Sequence, residues 1–122
     1  MLVELNESEI STIEGISKEH DETIDVKKEY YDSGVLKSET PYVNGEIHGI
    51  RKIYYESGAL TWEIPYVNGI RHGVEKTYYQ SGALNREVPY VNGKVHGLIK
   101  IYHESGDLLN TAKYKNDKKV GK

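Results

Sequence analysis

Residues 49–72 read G-I-R-K-I-Y-Y-E-S-G-A-L-T-W-E-I-P-Y-V-N-G-I-R-H, and the same 24-residue pattern recurs on both sides of them. Gly34, Gly58, Gly82 and Gly106 stand 24 apart, each after a Ser, and Gly45, Gly69 and Gly93 keep that interval, each after an Asn. Gly49, Gly73, Gly97 and Gly121 form a third series, and Tyr42, Tyr66, Tyr90 and Tyr114 a fourth. A fixed period is the mark of a repeat architecture, one supersecondary unit stacked on the next. The fourth copy departs after Leu108: Lys113 replaces the Pro, Asn116-Asp117 the Asn-Gly and Val120 the His, as suits a terminal unit.

Each unit carries two turn signals. Asn-Gly supplies the positive φ angles of a two-residue hairpin turn, and Ser-Gly does so less strongly. Between them lie β-branched and aromatic segments of strand length. The spacing therefore predicts an all-β chain: antiparallel β-hairpins stacked into an elongated, twisted single sheet of roughly eight strands. Pro41, Pro65 and Pro89 lack an N–H and should mark a bend before the second turn.

A two-residue turn at Ser57-Gly58 pairs Tyr55 with Leu60, Ile53 with Trp62, Lys52 with Glu63 and Gly49 with Tyr66. This register sets Lys28, Lys52 and Lys76 against Glu39, Glu63 and Glu87, opposite charges across a ladder. It also lays Tyr66, Tyr90 and Tyr114 over Gly49, Gly73 and Gly97, and Tyr42 over Asp25.

Two faces follow. One carries Ile50, Lys52, Tyr54, Glu63, Pro65 and Val67 and hardly changes between copies. The other holds Tyr55, Leu60 and Tyr66 fixed around four positions that vary between copies: Lys27, Glu29, Ser38, Thr40; Arg51, Ile53, Trp62, Ile64; Glu75, Thr77, Arg86, Val88; Ile99, Ile101, Asn110, Ala112. Specificity is written where copies are free to vary. Trp, Tyr and Arg are the types enriched at interface hot spots. The candidate partner-binding residues are accordingly Arg51, Ile53, Tyr55, Trp62, Ile64, Glu75, Tyr79 and Arg86.

Charge is uneven along the chain. Residues 1–25 hold eight acids against Lys18, a net of −7, whereas the whole chain is −3, which leaves +4 for residues 26–122. The division expected is an acidic N-terminal cap or arm, 1–25, before four hairpin repeats, 26–122. An open sheet edge calls for such cover, and the exposed terminal strands leave edge-strand dimerisation open.

Catalytic and metal chemistry find little support. Without Cys there are no disulfides and no thiolate zinc sites. His48, His72 and His96 sit at equivalent turns ~9.6 Å apart, too far to share one zinc; a turn-capping role fits them better. The recurring Ser before Gly is a turn residue, and His103 reads as a half-exposed sheet residue. The lysine and tyrosine rows resemble a phosphate-and-stacking track, but the lysines face glutamates. No cofactor, nucleic acid or membrane partner is expected. No signal peptide or apolar span of ~18 residues stands out, so a cytoplasmic location is expected.

The pattern Y-Y-x-S-G-x-L … Y-x-N-G-x-x-x-G, in four consecutive copies from residue 26 to about 121, resembles the bacterial variant of the MORN repeat. The resemblance implies stacked hairpins in one sheet and brings no catalytic residues. Bacterial proteins of this kind are often classed as antitoxins or immunity proteins, which implies a cytoplasmic protein that neutralises a cognate toxin by occlusion. A nuclease toxin, with its basic active site, would suit the acidic arm. Other MORN arrays are scaffolds, the alternative reading: a general interaction protein without a toxin.

Overall fold

The structure, a computed structural model, describes residues 22–121. Among these residues there is no helix, and twelve strands form one open antiparallel sheet. They are β1 (Ile24–Tyr30), β2 (Leu36–Val43), β3 (Glu46–Ile47), β4 (Gly49–Tyr54), β5 (Leu60–Val67) and β6 (Ile70–Arg71). The second half continues with β7 (Gly73–Tyr78), β8 (Leu84–Val91), β9 (Lys94–Val95), β10 (Gly97–Tyr102), β11 (Leu108–Lys115) and β12 (Lys118–Val120). Neighbours run β1-β2-β4-β5-β7-β8-β10-β11-β12, while β3, β6 and β9 pair only with β2, β5 and β8. The all-β hairpin stack read from the sequence is thus the fold. Of the segment assigned to an N-terminal arm, residues 1–21 lie outside the described residues, and Ile24 and Asp25 already belong to β1.

The Asn-Gly turns form as their chemistry dictates. Asn44, Asn68 and Asn92 have φ of 49–52° and Gly45, Gly69 and Gly93 of 84–86°, the two positive values of a type I′ turn. In the fourth copy Asp117 takes the glycine's place at φ 72°, and its Oδ1 accepts the Val95 N–H at 2.7 Å.

The Ser-Gly turn corrects the expected one. Gly58 N–H donates to the Tyr55 carbonyl and Tyr55 N–H to Ala59, so the loop is the three residues Glu56-Ser57-Gly58. Tyr54, not Tyr55, pairs with Leu60. Between that pair and Ile53↔Trp62 one extra residue, Thr61, enters the second strand as a β-bulge. The same shift occurs in all four hairpins. The longer loop moves the register by one and the bulge moves it back. From Ile53↔Trp62 to Gly49↔Tyr66 the ladder is therefore the expected one.

The bend falls at the prolines. His48 N–H donates to the Pro41 carbonyl at 3.1 Å, with Tyr42 opposite Ile47, but the ladder resumes at Glu39↔Lys52, two residues out of step. This break brings Gly49 beneath Pro41. A Cβ on Gly49 would stand 3.2 Å from Pro41 Cγ, and the corresponding distances are 3.0 Å at Gly73 (Pro65) and at Gly97 (Pro89). Tyr66 does lie opposite Gly49, yet the proline of the preceding repeat fills the space a Cβ would need.

Ile64 is the one fully buried apolar side chain among the described residues, so a thick core does not hold this sheet together. The repeats instead bond to one another in a recurring set. The hydroxyls of Tyr31, Tyr55 and Tyr79 donate to the carbonyls of Tyr54, Tyr78 and Tyr102 at 2.6–2.8 Å. Those of Tyr54, Tyr78 and Tyr102 donate back to Glu39, Glu63 and Glu87 at 2.6–3.0 Å. The Asn68 and Asn92 N–H groups donate to His48 and His72 Nδ1 at 3.1 Å, and Asn116 N–H to His96 Nδ1 at 3.4 Å. Each histidine thus caps the turn of the next repeat, with its ring proton on Nε2. At about 1 kcal/mol per bond, one such seam gains roughly 3 kcal/mol, comparable to burying one or two aliphatic side chains.

Candidate protein-binding face

On the constant face the pairings join into one alternating row, Lys28-Glu39-Lys52-Glu63-Lys76-Glu87-Lys100, one residue per strand. Lys28 and Glu39 approach to 3.9 Å, an exposed pair of small value. The glutamates find firmer partners in the tyrosine phenols. Burial first, then the bond to Glu63 and its charge, pushes the Tyr78 phenol up to about 12. Tyr54 is raised in the same way by burial and Glu39, and Tyr102 mainly by its bond to Glu87. Beside this row Val26, Ile50, Val74 and Leu98 repeat at 24-residue spacing and stay 44–49% exposed.

The sixteen positions that differ between copies fall into two adjacent rows on the other face. One runs Glu29-Ser38-Ile53-Trp62-Thr77-Arg86-Ile101-Asn110, continuous through the pairings of eight strands. The other is made of the pairs Lys27↔Thr40, Arg51↔Ile64, Glu75↔Val88 and Ile99↔Ala112.

At the junction of the second and third repeats these rows close over themselves. Ile64 has no exposed surface and Glu75 is 6% exposed. Trp62 Nε1 donates to the Glu75 carboxylate, which also pairs with Arg71 at 3.3 Å. Arg71 in turn donates to the Tyr90 hydroxyl at 3.1 Å and lies 5.3 Å from that ring's centroid, close enough for a cation–π contact. The Tyr90 phenol is raised by burial and by the Glu75 charge, with Arg71 opposing. A buried carboxylate needs such partners.

The eight residues singled out from the sequence therefore have different surroundings. Ile53, Trp62 and Arg86 share one row, with Arg51 and Ile64 opposite each other in the next. Ile64 and Glu75 are interior, Tyr55 and Tyr79 tie successive repeats, Arg51, Ile53 and Trp62 are half-buried, and Arg86 is exposed. Arg51 Nε donates to Thr40 Oγ1 at 3.2 Å, and among the described residues no carboxylate lies within salt-bridge distance of it. Arg51 also lines a cleft of about 260 Å³ with Lys27, Glu29, Thr40, Tyr42 and Ile47. A neighbouring hollow of about 530 Å³ shares Lys27 and Tyr42 with it.

Sequence reasoning missed Arg71. Its signal is present in the column before the histidine, which reads Ile47, Arg71, Val95 and so places a single charge among aliphatics.

Among the described residues no group of three or more His, Asp or Glu is placed to hold a metal, and no helix is long and apolar enough to cross a membrane. A comparison with curated proteins finds no match. The MORN repeat variant family matches residues 26–44, 47–68, 71–92 and 95–116, each segment ending within the Asn turn of a hairpin. Those four matches cover well over half of the sequence, and the chain belongs to the MORN repeat variant family as a repeat scaffold of four hairpins.

Proposed function

We propose that this chain is a protein-binding module of the antitoxin or immunity kind, which occludes a cognate toxin with the face whose residues change from repeat to repeat. One observation carries the reading: the sixteen variable positions gather on one face, as one continuous row and four pairs beside it, while the opposite face repeats. A partner laid across these rows meets a different set of side chains at each repeat, and a non-repeating surface is what specific recognition needs. The accessible contributors are Arg86, Arg51, Ile53 and the uncovered part of Trp62, continued by Lys27 and the cleft of the first repeat. Ile64 and Glu75 support this surface from below. The acidic residues 1–25 add a net −7 that complements a basic partner such as a nuclease and would speed its encounter.

A growth assay tests the reading. Expression of the neighbouring gene alone should arrest growth, and co-expression of this chain should relieve the arrest. Arg51→Ala/Arg86→Ala should lose that relief while keeping its far-UV spectrum. A harmless neighbour, or undiminished relief by the double variant, removes the reading.

A second reading, a general scaffold, is favoured by the exposed aliphatic row Val26, Ile50, Val74 and Leu98 on the constant face. Ile50→Lys/Val74→Lys should abolish partner capture if that face docks, and leave it intact if the variable face does.

A further inference from the structure

We propose that, among the described residues, the two terminal edges of the sheet carry mismatched halves of one more inter-repeat seam, and that the mismatch keeps copies of this chain from joining end to end. The partner these edges would otherwise admit is a second copy. Every interior seam uses the same four side-chain devices. A tyrosine (31, 55, 79) reaches the next repeat's carbonyl, and a glutamate (39, 63, 87) accepts the next repeat's phenol. A proline (41, 65, 89) packs on the next repeat's glycine, and a histidine (48, 72, 96) accepts from the next repeat's turn. Backbone pairing at a seam is short, with two aligned residue pairs such as Glu63↔Lys76 and Trp62↔Thr77. One more backbone bond crosses each seam, from the Gly69, Gly93 or Asp117 N–H to the Ile47, Arg71 or Val95 carbonyl, and the side chains supply the remaining contacts.

The fourth repeat lacks all four devices. His103 stands for the tyrosine, Thr111 for the glutamate, Lys113 for the proline and Val120 for the histidine. Other positions of that repeat keep the pattern: Ser105-Gly106, Leu108, Tyr114 and Asn116 are retained. Asp117 and Lys115 also depart from the pattern, Asp117 at a turn that bonds Val95 of the preceding repeat, but each of the four groups that would hold a following repeat is replaced.

The opposite edge is altered at the matching point. In β1, Lys28 and Tyr30 keep the pattern of Lys52 and Tyr54, but Asp25 stands where Gly49, Gly73 and Gly97 receive a proline. A Cβ at that position meets the proline at 3.0–3.2 Å in the interior seams. Lys113 of one copy and Asp25 of the next would have opposite charge. An exposed pair of this kind contributes less than the three hydrogen bonds and the packing that are missing.

The need for such blunting follows from the repeat itself. Among the described residues β1 pairs only with β2, and β12 covers only Lys113–Lys115 of β11. Two complementary edges on one chain make a head-to-tail contact that does not close, which leads to open filaments.

The test restores the seam in the full chain with Asp25→Gly, His103→Tyr, Thr111→Glu, Lys113→Pro and Val120→His together. Light scattering after size exclusion should give the monomer mass for the parent at every concentration. For the variant, mass should climb with concentration without a fixed end point. A variant that keeps its far-UV spectrum and stays monomeric overturns the proposal, as does a parent that already forms open-ended species. A variant that fails to fold hands the decision to the converse change, Tyr79→His/Glu87→Thr/Pro89→Lys/His96→Val. It should speed amide exchange in β10–β12 roughly tenfold or more relative to β1–β5, and equal protection of the two regions overturns the proposal.

Discussion

Gly73→Ala against Gly58→Ala isolates the contact that sets the spacing between repeats. Both glycines have positive φ, +121° and +97°, so alanine is strained at either, by about 1–2 kcal/mol. Around Gly58 nothing lies within 4 Å of the added methyl, and that cost stands alone. At Gly73 the methyl would stand 3.0 Å from Pro65 Cγ and 3.2 Å from its Cβ. A proline ring fixed to a paired strand cannot rotate away, so overpacking adds about 1–3 kcal/mol. Gly73→Ala should therefore cost about 2–5 kcal/mol in urea unfolding, and Gly58→Ala about 1–2. Pro65→Ala/Gly73→Ala, which removes the Cγ contact and keeps the Cβ one, should recover about 1–2 kcal/mol relative to the sum of the single changes. Equal costs at the two glycines, or additivity within about 0.5 kcal/mol in the cycle, would refute the packing argument.

Thr77 Oγ1 is buried without a hydrogen-bond partner, so Thr77→Val should raise stability by about 0.5–1 kcal/mol in the same assay. Arg71→Met leaves the Glu75 carboxylate with Trp62 alone and should cost about 2–3 kcal/mol, more than Arg71→Met/Glu75→Gln, which removes both charges. At alkaline pH, Tyr78 titrates at about 12 in the folded chain, above the ordinary 10 for tyrosine. The stability it contributes is complete below pH ~10 and is lost as pH rises toward ~12. Tyrosinate absorbance should show a late rise, to which the raised Tyr54, Tyr90 and Tyr102 phenols also contribute, and Tyr78→Phe should diminish its high-pH end. A rise unchanged in that variant counts against the burial and the Glu63 bond.

The features legible in the sequence are those set by local chemistry or by period. Asn-Gly admits one short turn, and its position fixed the second hairpin bend. The Ser-Gly loop was misread because a three-residue loop and a bulge cancel. The bulge residues Lys37, Thr61, Asn85 and Leu109 share no side-chain type, so no residue announces it. The lysine–glutamate row was legible as alternating charge, but the phenols that bond its carboxylates come from the next repeat, diagonally across a seam. For the candidate site, period alone sorted the variable positions onto one face. It did not show that Ile64 and Glu75 sink below that face; the Glu75 carboxylate is held there by Trp62 of β5 and Arg71 of β6, which the period does not bring together.

That burial divides the variable face. A sheet held by its seams tolerates change wherever a side chain takes no part in them, and most of the two rows meets that condition. The junction of the second and third repeats does not, since Trp62, Arg71, Glu75 and Tyr90 depend on one another. A change of specificity that replaced Glu75 would have to replace Arg71 as well, or leave a buried charge unpaired. Glu29 and Arg51 at one end bond the buried Ser38 and Thr40 hydroxyls, which a replacement would leave unpaired. Lys27, Arg86 and Asn110 carry no such linkage, so new contacts are gained at these three at least cost in stability. A bound partner would then rest on a fixed centre and be discriminated at the flanks.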